Sequence, residues 1–129
     1  MSGRLTTHVL DLSGGIPAAG MALQLWRLED GAASLLREAV TNADGRLDAP
    51  LLEGAELAAG SYELLFMAGD YFRSSGLLFE ASGEGNSADG AAPFFLEQIP
   101  IRFNITDPSA HYHVPLLVAP GGYSTYRGS

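Results

Sequence analysis

The sequence predicts an all-β sandwich of about eight short strands with at most one or two short helices. Three observations carry that expectation. Segments rich in β-branched or alternating apolar residues recur at short spacing, turn residues separate them, and only two brief stretches carry a helical signal. Sixteen Gly and seven Pro among 129 residues fit a turn-rich β architecture better than a helix bundle.

Arg4 to Asp11 (RLTTHVLD) is the first strand and ends before a loop, Ser13-Gly14-Gly15-Ile16-Pro17. Met21 to Leu28 alternates, with Met21, Leu23 and Leu25 on one face and Ala22, Gln24 and Trp26 on the other. Asp30-Gly31 marks a hairpin, and Leu35 to Thr41 is its return strand. The turn Asn42-Ala43-Asp44-Gly45 leads to a short strand around Arg46-Leu47-Asp48. Glu53 to Ala59 has helix formers and ends in Gly60, which predicts a single helical turn. Ser61 to Ala68 is a strand with Tyr62, Leu64 and Phe66 on one face, and Asp70 to Ser75 a short helix. Gln98 to Ile105 sets Ile99, Ile101, Phe103 and Ile105 against Gln98, Pro100, Arg102 and Asn104. Pro100 has no N–H for a ladder, which predicts an edge or a bulge. His111 to Val118 and Tyr123 to Arg127 are the last strands, joined through Pro120-Gly121-Gly122. Glu80 to Pro93 lacks large apolar residues and is expected as a mobile surface loop within one domain spanning residues 1–129.

Composition narrows the chemistry. Without cysteine there are no disulfides, thiolate metal sites or thiol nucleophiles. Without lysine side chains, Schiff-base chemistry is left to the terminal amine alone. A formal charge of −8 argues against nucleic acid or an anionic membrane as partner. Met1 to His8 has no apolar leader core, and no apolar run nears bilayer length, so a cytoplasmic protein is the expectation.

The strand period gives His111 to Val118 two unlike faces. Tyr112, Val114, Leu116 and Val118 form a uniform core face, while His111, His113, Pro115 and Leu117 form a mixed one suited to a functional wall.

Three segments together resemble the 5-hydroxyisourate hydrolase family of transthyretin-like proteins. They are Leu5-Thr6-Thr7-His8-Val9-Leu10-Asp11 with Gly15-Ile16-Pro17-Ala18, then Asp44-Gly45-Arg46, then His111-Tyr112-His113-Val114-Pro115-Leu116-Leu117 with Tyr123-Ser124-Thr125-Tyr126-Arg127-Gly128-Ser129. The resemblance runs from residue 4 to residue 129. It departs from the family pattern in the long Glu80–Pro93 connection and in Gly121-Gly122, where the family often carries an aromatic. It implies the transthyretin sandwich, a homotetramer with active sites at subunit interfaces in a central channel, and no cofactor. It maps the catalytic positions onto His8, Arg46 and His113. Substrate binding would fall to Arg46, Tyr126 and Ser129, with His111, Arg127 and Gly128 in support.

The implied reaction converts 5-hydroxyisourate to 2-oxo-4-hydroxy-4-carboxy-5-ureidoimidazoline by opening a cyclic amide. That bond needs an attacking water, a base, stabilisation of the carbonyl oxygen and an acid for the leaving nitrogen. His8 and His113 would share the acid and base roles, and Arg46 would orient the anionic ring. Two imidazoles beside a guanidinium repel protons, so at least one should be neutral near pH 7.

Duller readings compete. Alone, His8 reads as a hydrogen-bonded strand residue and Arg46 as a solvated turn residue. His8, His111 and His113 also have the composition of a His-only metal site, but no carboxylate or further ligand is placed near them by motif, and no metal is expected. Trp26 and Phe94-Phe95 are expected in the core or at subunit contacts. The competing function is a non-catalytic transthyretin-like carrier, which would favour an apolar channel over proton-transferring groups. A structural module of a larger assembly is a third possibility, and the patterned C-terminus speaks against it.

Overall fold

A computed structural model describes residues 3–75 and 93–128. Among them are nine strands, one α-helix and one 3-10 turn. The strands are β1 (Arg4–Asp11), β2 (Ile16–Pro17), β3 (Ala22–Glu29), β4 (Ala32–Val40), β5 (Leu52–Glu53), β6 (Gly60–Phe66), β7 (Ile99–Ile105), β8 (His111–Ala119) and β9 (Gly122–Thr125). Helix α1 is Ala68–Ser74, and the 3-10 turn is Gly54–Glu56.

Two sheets enclose the core. One runs β2-β1-β8-β9, with β5 paired to the start of β1, and the other runs β4-β3-β6-β7. The side-chain period of two does the sorting. Leu5 and Val9 of β1, Leu23 and Leu25 of β3, Tyr62, Leu64 and Phe66 of β6, Ile99, Ile101 and Ile105 of β7, and Tyr112, Val114, Leu116 and Val118 of β8 all point inward and are buried. Full burial of one such aliphatic or aromatic side chain contributes about 1.5–3 kcal/mol. Tyr62 stacks on Phe103 with centroids 6.0 Å apart, and Phe94 packs against Phe72 at 5.9 Å. Phe95, its neighbour in the chain, is 86% exposed, so only one of that pair enters the core.

The expected elements hold, with adjustments at their ends. β7 is an edge strand, as Pro100 requires. The return strand β4 begins three residues earlier than the alternation suggests, because the β3/β4 register shifts between Leu25 and Trp26. Leu25 faces Arg37 and Trp26 faces Leu35, which leaves Leu36 as the extra residue of a bulge and breaks the simple pattern. The helical turn after Glu53 is the 3-10 turn, closed by a capping box between Glu53 and Glu56. The strand expected around Arg46-Leu47-Asp48 shrinks to one bridge between Arg46 and His8, because the hydrogen bonds of that segment go to the Asn42 turn instead. The last strand stops at Thr125, before Tyr126 and Arg127. Strands β2 and β5 were not anticipated, being two residues each and without a readable period. The loop expected over residues 80–93 lies outside the described residues except for Pro93.

The sheet bearing β1 and β8 is the one that matters for the site. These two strands run parallel, with Thr6 opposite His113 and His8 opposite Pro115. β1 ends in buried Asp11, whose carboxylate accepts from the Tyr71 hydroxyl (2.7 Å) and the Ser13 and Gly14 amides (2.9 and 3.2 Å). Burial and the bond to Asp11 push the Tyr71 hydroxyl well above the ordinary phenol range, so it stays a donor. The pair ties α1 to the end of β1.

Candidate active site

The outer face of β1 and β8 gathers the histidines. With Leu5, Thr7 and Val9 turned inward, Thr6 and His8 must point outward, beside the outward His111 and His113 of β8. The parallel register puts Thr6 between the two β8 imidazoles. Its Oγ1 lies 2.8 Å from His113 Nδ1 and 3.1 Å from His111 Nε2, and the two rings are 6.4 Å apart between centroids.

Arg46 reaches this face through a turn built for it. Asn42 Oδ1 accepts the amides of Asp44 (2.9 Å) and Arg46 (3.1 Å), and Asn42 Nδ2 donates to Asp48 (2.9 Å). Gly45 has φ +75°, and a Cβ there would stand 2.4 Å from the Val9 carbonyl oxygen. Only glycine lets this turn lie against β1, where the Val9 amide donates to the Gly45 carbonyl at 2.8 Å. Among the described residues the Arg46 guanidinium has no hydrogen-bond partner and is exposed. It lines a cleft of about 380 Å³ with Arg4, Thr6, Asp48, His111 and His113.

His8 borders the same turn. Its Nε2 donates to the Asp44 carbonyl at 3.0 Å. A carbonyl only accepts, so in neutral His8 the proton sits on Nε2 and Nδ1 is the acceptor. His113 has the more distinctive surroundings. Burial, then the charges of Arg46, His111 and His8, hold its imidazole below the ordinary histidine value. His113 is therefore neutral at pH 7, and the charge effects tie Arg46, His111 and His8 to one electrostatic neighbourhood.

The C-terminal segment packs along β8. The Gly128 amide donates to the His113 carbonyl at 2.7 Å. A Cβ on Gly128 would come within 2.7 Å of His113 Cδ2, so glycine lets the chain lie flat on the imidazole. Arg127 turns away from the cleft. Its guanidinium sits 4.2 Å over the Tyr112 ring and donates to the His111 carbonyl at 3.3 Å, which anchors the segment. Tyr126 is 60% exposed and borders a separate concavity with His111, Arg127 and Gly128. Ser129 lies outside the described residues.

The structure thus brings His8, Arg46, His111, His113 and Gly128 together, and it keeps Tyr126 and Arg127 outside the main cleft. Thr6 is the residue that sequence reading left without a role. Its signal lay in the pairing of two distant strands. Among the described residues no three His, Cys, Asp or Glu side chains are placed to hold a metal ion.

A two-sheet sandwich with three imidazoles and a guanidinium on its outer face defines a β-sandwich equipped for proton transfer and anion binding. The chain belongs to the HIUase/Transthyretin family, whose pattern matches residues 5–128. It is 56% identical to 5-hydroxyisourate hydrolase 2 of Rhizobium meliloti (strain 1021), over 99% of this chain and 98% of that one. Among solved structures it resembles Klebsiella pneumoniae 5-hydroxyisourate hydrolase, with a TM-score of 0.74, 37% identity, and 98% and 99% of the two chains covered. Transthyretin from Sparus aurata superposes with a TM-score of 0.79 at 24% identity, covering 97% of this chain and 96% of that one, and shows the shared fold alone.

Proposed function

We propose that this chain hydrolyses 5-hydroxyisourate to 2-oxo-4-hydroxy-4-carboxy-5-ureidoimidazoline, with His8, Arg46 and His113 as its catalytic groups. The observation that carries the reading is the His113 imidazole, held below the ordinary histidine value by burial and its cationic neighbours, in one cleft with an uncommitted guanidinium, Arg46. Hydrolytic opening of a cyclic amide asks for that pair.

Water attacks the ring carbonyl carbon while an imidazole takes one of its protons. The carbonyl oxygen becomes an oxyanion, and Arg46 stabilises it and the anionic ring through its planar fork. The carbon–nitrogen bond then breaks, the nitrogen receives the proton held on imidazole, and a carboxylic acid is left that ionises. His113 suits the base role because it is neutral at pH 7. His8, with Nδ1 as its acceptor, shares the proton traffic from the Arg46 side. Tyr126, which lies outside the main cleft of its own chain, and Ser129 would reach substrate from a neighbouring copy in this reading, and no cofactor takes part.

Four copies would assemble around this face. Leu12 and Ile16, exposed by 54% and 52%, flank the β1–β2 turn on the site-bearing sheet and support burial against another copy. A cytoplasmic location is part of the same proposal, and cell fractionation tests it. Among the described residues no helix is long and apolar enough to cross a membrane.

The test is decay of 5-hydroxyisourate, generated in situ from urate by urate oxidase and followed spectroscopically. Substoichiometric protein should accelerate decay through many turnovers. Decay at the spontaneous rate would instead favour a carrier.

A further inference from the structure

We infer that Thr6 is a positioning residue that sets the tautomer of His113. Its hydroxyl accepts from His113 Nδ1–H and donates to His111 Nε2, leaving His113 Nε2 bare as the base. The inference rests on the hydrolase reading for its catalytic consequence, though the wiring itself does not.

A hydroxyl has a single proton, and Thr6 Oγ1 stands within hydrogen-bond distance of two imidazole nitrogens, 2.8 Å from His113 and 3.1 Å from His111. It can donate to only one of them. If the hydroxyl donates to His111 Nε2, it is left to accept from His113, and the His113 proton sits on Nδ1. Where it accepts from both rings, the His113 proton again sits on Nδ1. If it donates to His113 Nδ1, the His113 proton sits on Nε2 and the base is lost.

Two features select the first arrangement. His113 Nε2 has no hydrogen-bond partner among the described residues, and its ring shares the cleft with Arg46 and Arg4. Close to these guanidinium groups, which outnumber the one carboxylate of the cleft (Asp48), a bare ring nitrogen is favoured over an N–H dipole. Thr6 is also β-branched and sits in the middle of β1, so its χ1 is restricted and the hydroxyl is fixed in place. Gly128, flat against the ring, leaves His113 little room to flip.

The same wiring serves the reaction. When His113 Nε2 takes a proton from water, the cation is stabilised through Nδ1–H···Oγ1 of Thr6, and no proton need move along the relay. In this wiring His111 acts through Thr6.

The experiment combines ¹⁵N chemical shifts of the imidazoles with turnover, in the full chain and in Thr6→Val and Thr6→Ser. At a pH where the imidazoles are neutral, wild-type His113 should show a protonated Nδ1 and a bare Nε2. Thr6→Val, nearly isosteric but without the hydroxyl, should mix the two tautomers. Its kcat should fall about 10- to 100-fold, part of the ~10²–10⁴ that general-base catalysis supplies, with KM little changed. Thr6→Ser keeps the hydroxyl and should restore the wild-type tautomer and most of kcat. A wild-type His113 protonated on Nε2 would overturn the inference, even if Thr6→Val fails to fold. So would a folded Thr6→Val with unaltered tautomer and kcat. Absence of hydrolysis by the wild type would instead sink the hydrolase reading, and the tautomer of His113 would still decide the wiring.

Discussion

Burial and three neighbours, Arg46, His111 and His8, hold His113 below the ordinary histidine value of 6.5. The direction fixes a pH profile. The neutral form persists through pH 7, so activity that depends on it should be flat near neutrality and fall on acidification below about pH 6.5. The sign for stability is the same. A histidine harder to protonate in the folded chain than in the unfolded one makes acid favour unfolding, so stability is retained above the unfolded pKa and lost as pH falls past it. A pH series of kcat/KM checks the first expectation, and an activity limb placed above pH 7 would contradict it. Gly128 allows a steric test of the same residue. In Gly128→Ala the added Cβ meets His113 Cδ2 at 2.7 Å, so the imidazole must shift. Turnover should drop about 10- to 100-fold while the melting temperature stays nearly constant. At this scale the motif resemblance singled out His8, Arg46 and His113, and the structure places the three in one electrostatic neighbourhood. Thr6 did not, because its two partners are more than a hundred residues away and only the β1/β8 register brings them near.

The Asn42–Asp48 connection is what delivers Arg46 to the site. Three side-chain bonds from Asn42 and the positive φ of Gly45 hold it against β1. Gly45→Ala places a Cβ 2.4 Å from the Val9 carbonyl in an unfavourable backbone region. It should cost about 1–3 kcal/mol or more of stability in chemical denaturation. Asn42→Ala loses the turn bonds but strains nothing, so it should raise KM more than it lowers stability, through a less well-held Arg46. Equal effects of both variants on stability and none on KM would mean that the turn serves folding alone. Asp44-Gly45 announced a turn from sequence, but the strand expected after it was absent, because the alternation of Arg46-Leu47-Asp48 is too short to outweigh the pull of Asn42 on the backbone. The long strands were legible for the opposite reason. β7 and β8 each repeat an inward apolar residue at every second position, β1 is rich in β-branched residues and stops before a Gly-Gly loop, and the ends of all three fall within a residue of the expected ones. β4 was read short, since a bulge inserts one residue into its period.

Across the whole molecule, one sheet carries the candidate site and the other packs beneath it. The β4-β3-β6-β7 sheet contributes Tyr62, Leu64 and Phe66 from its interior strand β6 to the core beneath the site. Phe66→Ala, at a fully buried position, should lose about 3–5 kcal/mol without altering the site's composition, and loss of activity should then track unfolding. The net charge of −8 was informative at this scale too, because it confines anion binding to local clusters such as Arg4 and Arg46 in the cleft. Assembly is where sequence and a single chain offer least, since exposed Leu12 and Ile16 mark a surface but no stoichiometry. Light scattering on the purified chain should give four times the chain mass, and a monomer retaining full activity would remove the tetramer from the proposal. Hydrolysis on the β1/β8 face with His113 as base comes down to one comparison. Decay of 5-hydroxyisourate generated in situ is measured with the wild type and with folded His113→Ala. Acceleration by the wild type that falls about 10²–10⁴-fold in the variant is the predicted result. Equal acceleration by both proteins would rule out His113 as the base.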